Sequence, residues 1–457
     1  MKYDILDEKQ SARKIVLWLA WPTIISQVLQ TLVTYVDTAM VGSLGVNATA
    51  AVGVNTQFIW VIGGFMQGLG VGFSVVMGHY IGEGRHDKAQ ETVRQSLICT
   101  LILGVVLTLL VLLVCVPNLV IWMGADPILY HDARAYLACV GMSLIFEAFL
   151  FTGSNMVRVM GDTRSPMVIN ILNNVINIIL NFLFIYKSTD FTIFGIDVHI
   201  PGLDLGVFGA ALGTAIAEVI SGVLIVAVLF KESSLIHISI HDKYRFDKPI
   251  IQRSINMGVP VAFEQITLSM GQLVATGIVT RLGTAALAAH QLANTAESMC
   301  YMPMFGFSVA ATTLVAQCTG AGKRELEKRY SRTCMVYGMS IMTFCAILMF
   351  IFAPHLIDIF IDDQEVISMG GLVLRIMAFA EPALAATSIC SGILRGAGDT
   401  KSPFYVSIIG MWGVRVLLTV LFVNVMGLDF TYVWVAMALD WVVRAAIFIV
   451  KLKKRHS

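Results

Sequence analysis

The sequence predicts an all-α membrane protein of twelve transmembrane helices arranged as two pseudo-symmetric six-helix lobes. Three observations carry that prediction. The 457 residues are 57% hydrophobic and only 13% charged, with a mean hydropathy of +0.79, where a soluble chain carries about 25% charged residues. Apolar runs of about 20 or more residues recur throughout, each able to cross a hydrocarbon core of ~30 Å. The two halves also echo each other: Arg158-Val-Met-Gly-Asp-Thr-Arg-Ser-Pro166 returns 237 residues later as Arg395-Gly-Ala-Gly-Asp-Thr-Lys-Ser-Pro403. At an offset of 238, Gly82-Glu-Gly-Arg85 answers Gly320-Ala-Gly-Lys323, Leu44-Gly45 answers Leu282-Gly283, and Pro22 with Gln27 answers Pro260 with Gln265. So regular an offset means two copies of one unit.

In order, the spans are 14–38, 48–78, 92–115, 133–158, 166–186, 206–230, 253–281, 285–316, 332–353, 369–395, 403–425 and 432–452. They divide into an N-terminal lobe over 1–230, a cytoplasmic linker over 231–252 and a C-terminal lobe over 253–457. Lys and Arg set the topology. With the N-terminus inside, 25 of the 31 fall on the cytoplasmic side, only Lys187 and Arg281 fall outside, and Arg134, Arg375, Arg415 and Arg444 lie within spans. The outer loops are acidic, with Asp190, Asp197 and Asp204 in one and Asp362, Asp363 and Glu365 in another. This asymmetry places both termini in the cytoplasm of a multi-pass cell-membrane protein. Six spans per half make the repeats parallel, related by an axis along the membrane normal. Net charge of +1 says nothing about partners, because the charge is sorted by side rather than in excess.

Small residues at four-residue spacing, Gly64, Gly68 and Gly72 in span 2 and Gly206, Ala210 and Thr214 in span 6, mark close helix packing. The repeated Gly-Asp-Thr loops resemble anion nests, but Gly161 suits the end of one helix and Pro166 the start of the next, so an inter-helix turn is favoured. None of the eight cysteines forms a Cys-x-x-Cys pair, and no His-Glu-x-x-His occurs. Gly320-Ala-Gly-Lys-Arg324 lacks the Walker spacing and the following Ser or Thr. The chain is therefore expected to be no enzyme, to carry no cofactor and to bind no nucleic acid. Its expected partners are the lipid bilayer and a small organic molecule, and it is expected to act as a monomer.

The informative residues are polar groups inside spans, where a carboxylate costs ~2.5–3.5 kcal/mol and needs a partner or a task. Span 1 sets Thr23, Gln27, Gln30, Thr34 and Asp37 on one helical face. Span 5 does the same with Asn170, Asn174, Asn177 and Asn181, and span 7 with Gln265, Ser269, Gln272, Thr276 and Thr280 beside Glu264. Such stripes line a wetted cavity or bond helix to helix within the bundle. Further acids within spans are Glu147, Glu218, Glu297, Glu381 and Asp440. Glu381 precedes Pro382, where a bent helix makes a local polar site; an ion pair with Arg375, six residues earlier, is the alternative.

These features together resemble the multidrug and toxic compound extrusion (MATE) transporters of prokaryotic type. The resemblance covers essentially the whole chain and rests on the twelve spans, the Gly-Asp-Thr-Arg/Lys-Ser-Pro loops, the Pro22–Asp37 segment and Met302-Pro-Met-Phe-Gly306. It implies a V-shaped pair of lobes and a secondary active antiporter. The implied role is export of amphipathic, cationic organic compounds in exchange for H⁺ or Na⁺. It further implies a coupling-cation site of Asp37, Gln30, Asn177, Asn181 and Thr214, with no metal beyond Na⁺ at Asp37. A C-lobe ion or substrate site of Glu264, Gln265 and Glu381, and hinges at Pro22 and Pro260, complete the expectation. Where many members have Asp-Pro, this chain has Asn181-Phe182, which removes one carboxylate from the N-lobe site. Two other functions remain open. A flippase for a lipid-linked precursor, of related fold, requires a cavity lined by several cations. A channel, receptor or scaffold requires neither paired acids nor pseudo-symmetry.

Overall fold

The structure, a computed structural model, describes residues 4–123, 126–193, 196–231 and 245–456. Most of the linker expected over 231–252 lies outside the described residues. Helices α1 Ala12–Gly42, α2 Val46–Gly82, α3 His86–Trp122, α4 Pro127–Val159, α5 Arg164–Ile185 and α6 Gly206–Phe230 make the first half. The second half holds α7 Lys248–Thr280, α8 Thr284–Gly320, α9 Arg324–Asp358, α10 Gln364–Gly396, α11 Lys401–Val425 and α12 Thr431–His456. Among the described residues, eleven of these twelve are long and apolar enough to cross a membrane. The exception, α7, spans 33 residues; its polar stripe lowers its hydropathy, not its length.

The helices overrun the apolar windows by up to about two turns, as α9 does from 332–353 to Arg324–Asp358. Apolar composition marks the hydrocarbon core, whereas backbone hydrogen bonding carries the helix on into the interface. One element departs from the all-helical expectation. Strands β1 Lys187–Ile193 and β2 Ile196–Leu203 form an antiparallel hairpin between α5 and α6, pairing Phe191 with Val198 and Ile193 with Ile196. The alternation Phe191, Ile193, Ile196, Val198, Ile200 has the period of a strand, a signal that a search for long apolar runs passes over.

Repeat positions adopt matched geometry. Gly45 and Gly283 both sit at φ +110°, where a side chain is strained, and let the chain reverse between α1 and α2 and between α7 and α8. In the two Gly-Asp-Thr loops Gly161 and Gly398 have φ +91° and +86°. Asp162 then accepts from the backbone N–H groups of Arg164 and Ser165 at 3.0 and 3.1 Å, and Asp399 from that of Ser402 at 3.0 Å. Each loop is thus an aspartate-capped turn into the next helix.

Each lobe has its own core, with Phe73, Met77 and Met156 in one and Met377, Trp434 and Phe430 in the other. The lobes meet where α2 packs on α7 and α8, and α1 on α8. Gly64, Gly68 and Gly72 of α2 face Gln265, Ala262, Gly258 and Ser254 of α7, and a Cβ added at Gly68 or Gly72 would strike the opposing backbone. Near the chain termini, His79 Nε2 donates to the Gly396 carbonyl (2.9 Å), Arg253 donates to His79 Nδ1 (3.0 Å), and Gln317 donates to the Val159 carbonyl (2.7 Å). The seam is therefore shut at the end of the bundle that holds both termini. Large apolar side chains such as Phe379 (78% exposed) and Leu113 (71%) cover the outside, the surface a hydrocarbon solvent requires.

Candidate functional site: a carboxylate cluster and an arginine-lined cavity

In the N-terminal lobe, the stripes of α1 and α5 converge with α6. Asn181 Nδ2 donates to Asp37 Oδ1 (3.0 Å) and to Asn177 Oδ1 (3.3 Å), while Asn177 and Thr214 Oγ1 lie 3.0 Å apart. Rotating the Asn177 amide by half a turn satisfies the cluster better: its nitrogen then donates to both Asp37 oxygens at 2.9 and 3.0 Å and its oxygen accepts from Thr214. A Cβ at Gly213 would overlap the Asn181 amide, so this glycine makes the room that lets α5 and α6 bring their polar groups together. Asn181 Oδ1 is buried without a donor. The result is one carboxylate beside carbonyl and hydroxyl oxygens, a ligand set suited to a proton or a hard monovalent cation. Among the described residues no three His, Cys, Asp or Glu side chains gather into a metal site.

Four of the five residues expected here are brought together: Asp37, Asn177, Asn181 and Thr214. Gln30 is exposed, and among the described residues its side chain makes no hydrogen bond to the other four. Pro22 and Pro260 lie inside unbroken helices, one residue before Thr23 and five before Gln265.

A cavity of about 280 Å³ lies between the lobes, lined from α2, α4, α7, α8, α10, α11 and α12. It contains Glu264 and Gln265, but Glu264 is not free. Arg395 Nη2 donates to it at 2.6 Å and Ser407 Oγ at 3.1 Å. Arg158, Arg395 and Arg444 also line the cavity. This corrects the cation inventory read from the sequence, which left Arg158 and Arg395 in cytoplasmic turns. Both stand in the last turn of their helices, and their side chains reach back along the helix into the lobe interface. The one available signal was their matched position at the head of the repeated loop.

Glu381 lies elsewhere. It is 0% exposed, and neither of its oxygens has a hydrogen-bond partner among the described residues. Arg375 does not pair with it; the guanidinium is exposed and sits 5.9 Å from the Phe350 ring centre. The alternative of an Arg375–Glu381 ion pair is thus overturned, because six residues along a helix set the two side chains on different faces. The neighbouring charge is instead Glu297, close enough to act on Glu381. Glu218 accepts from Ser143 Oγ at 2.5 Å and lies near Glu147. Asp440 is structural: Arg444 donates to it at 2.5 and 2.6 Å and Arg415 at 2.9 Å, and the two guanidiniums lie 5.0 and 4.8 Å from the Trp441 ring centre.

The profile of the MatE family matches residues 22–183 and again 260–421, two copies at the offset of 238 that the repeat shows. This chain belongs to the MatE family. It is a multi-pass membrane transporter and not an enzyme. Among curated MatE relatives it is similar to the probable multidrug resistance protein NorM of Thermotoga maritima, 29% identical over 96% of this chain and 92% of that one. It is also similar to the multidrug resistance protein MdtK of Yersinia pseudotuberculosis, 26% identical over 87% and 84%. Among solved structures, an outward-facing multidrug resistance MATE family transporter superposes with a TM-score of 0.90 at 23% identity, covering 98% of this chain and 96% of that one. A MATE in the bent conformation gives 0.87 at 22% identity over 98% and 96%. These likenesses fix the MatE fold, two six-helix lobes.

Proposed function

We propose that this MatE transporter is a secondary active antiporter that exports amphipathic organic compounds, drugs or toxic metabolites among them, in exchange for H⁺ or Na⁺ bound at Asp37. The observation that carries the reading is the Asp37–Asn177–Asn181–Thr214 cluster: a single half-buried carboxylate held by neutral donors. With no cation beside it, Asp37 has room for a coupling ion, whereas Glu264 already has its cation in Arg395. Binding of the ion removes the carboxylate's demand for hydration, which favours burial and lets α1 bend near Pro22. The lobes then rock about the α2–α7 and α1–α8 seams. A potential of ~100 mV supplies ~2.3 kcal/mol per charge moved, enough to sustain roughly a fifty-fold gradient per net charge.

Glu264, implied by the resemblance as an ion or substrate site, is neutralised by Arg395, so it offers a cationic substrate little attraction. With both termini in the cytoplasm, as the Lys and Arg distribution predicts, the closed seam faces inward and the exit outward. The test is efflux from proteoliposomes with ΔpH and ΔpNa imposed separately. Asp37→Asn should remove the response to whichever gradient drives the wild type; an undiminished response would sink the reading.

A further inference from the structure

Beyond the carboxylate cluster, the interlobe cavity carries a charge imbalance that the antiporter reading does not use. Four guanidiniums, those of Arg158, Arg395, Arg415 and Arg444, stand in or beside it against two carboxylates, Glu264 and Asp440. Arg395 is neutralised by Glu264, and Arg415 and Arg444 share Asp440. Arg158 has no hydrogen-bond or ion-pair partner among the described residues, and its Nε is wholly buried. Ser391 Oγ, on the cavity wall and 6% exposed, is likewise without a partner. A part-buried guanidinium without a counter-charge is unfavourable unless something negative reaches it.

The repeat explains how the imbalance arose. Arg158 and Arg395 are counterparts, one from each lobe, both heading the matched turns. Glu264 neutralises the C-lobe arginine, but at the same offset the position facing Arg158's half is Ser26. One arginine kept an acid and the other lacks one. Around them the wall is apolar in places, with Met304, Phe305 and Leu384.

We propose that this cavity is an anion subsite: Arg158 receives the carboxylate or phosphate group of an amphipathic substrate, and the apolar body lies on Met304, Phe305 and Leu384. The proposal rests on the antiporter reading for its turnover, but its binding step is independent of Asp37. Charge complementarity selects against cations here, since a second positive group would meet Arg158 unscreened. It also changes the energetics. Export of a monoanion against entry of one H⁺ or Na⁺ moves two charge equivalents inward, where export of a monocation moves none.

The experiment uses the full chain in phosphatidylcholine nanodiscs, titrated with three probes of one shape: naphthalene-2-carboxylate, 2-naphthyl phosphate and 2-naphthyl-trimethylammonium. The anions should bind and the cation should bind at least about tenfold more weakly, the loss expected when a charge-assisted contact is replaced by repulsion. Arg158→Gln should erase that preference, and Arg158→Lys should restore part of it. Glu264→Gln, which frees Arg395, should tighten the anions several-fold by adding positive charge to the same cavity. Equal binding of all three probes, or unchanged anion binding in a folded Arg158→Gln protein, overturns the proposal. Should Arg158→Gln fail to fold, absence of tightening in Glu264→Gln overturns it equally. Phosphatidylglycerol added to the nanodisc assigns the source: competition dependent on Arg158 means a lipid headgroup fills the site, and no competition means a soluble anion. Asp37→Asn should keep anion binding while losing gradient-driven flux. Lost anion preference with intact flux therefore fails the subsite alone, and intact flux in Asp37→Asn fails the antiporter alone.

Discussion

Asp37 and Glu264 are both carboxylates inside helices, and their neighbours separate their roles. Amide and hydroxyl groups surround Asp37, so it is open to an ion; Arg395 and Ser407 already occupy Glu264. Asp37→Asn keeps the shape and one acceptor oxygen, so the protein should insert and fold while losing gradient-driven flux by at least about tenfold, the scale of one lost charge-assisted contact; size-exclusion elution and proteoliposome efflux on the same sample check both halves. Asp440 gives the opposite expectation. Asp440→Leu leaves Arg415 and Arg444 buried without a counter-charge, and breaking such a pair costs about 3–5 kcal/mol. Thermal unfolding in detergent should show a clear loss of stability, partly recovered when Arg444→Met is added. The polar stripes made Asp37, Asn177, Asn181 and Thr214 legible in the sequence, because helical periodicity fixes which face a residue takes. Gln30 shares that face yet stays exposed, because periodicity does not say how far along the helix a neighbour arrives.

Among the helices, α2 has the heaviest duty. Its N-lobe core residues Phe73 and Met77 lie opposite the glycine face that meets α7. Near its end, a Cβ on Gly82 would strike the Gln317 carbonyl of α8, and one on Gly320 would strike the His79 carbonyl of α2. Gly82→Leu should therefore wedge the seam open at the terminus-bearing end. Distances between spin labels on α2 and α8 should lengthen and broaden there, while Gly53→Ala, with nothing within 4 Å of the new Cβ, should leave them unchanged. The four-residue glycine spacing announced a close contact, but not its partner. Spacing describes one surface, and the matching surface on α7 lies nearly 200 residues away.

Across the whole molecule, the Asp37 cluster and the arginine-lined cavity occupy different depths, the cluster within the N-terminal lobe and the cavity between the lobes. Asp37 lies five residues from the end of α1 remote from the termini, whereas Arg158 and Arg395 stand in the last turns at the terminus-bearing end. Separated sites couple only through a two-state element that both bias, and the interlobe seam is that element. Linking α2 to α8 by a disulfide between cysteines placed at exposed positions flanking Gly82 and Gly320, with both glycines kept, should hold the seam shut, abolish efflux and return it on reduction. Full efflux in the oxidised protein would show that the seam does not need to open.

The sequence by itself determined the class, the twelve spans, the duplication and the one-sided polar faces, because these follow from composition and from periodicity along a single chain. Only the tertiary structure decided which polar groups meet. It joined Asn181 to Asp37 across 144 residues and Arg395 to Glu264 across 131. It also parted Arg375 from Glu381 and drew Arg158 from a turn into a cavity. Charge pairing depends on side-chain reach and on the packing of helices from different lobes, and the order of residues along one helix carries neither.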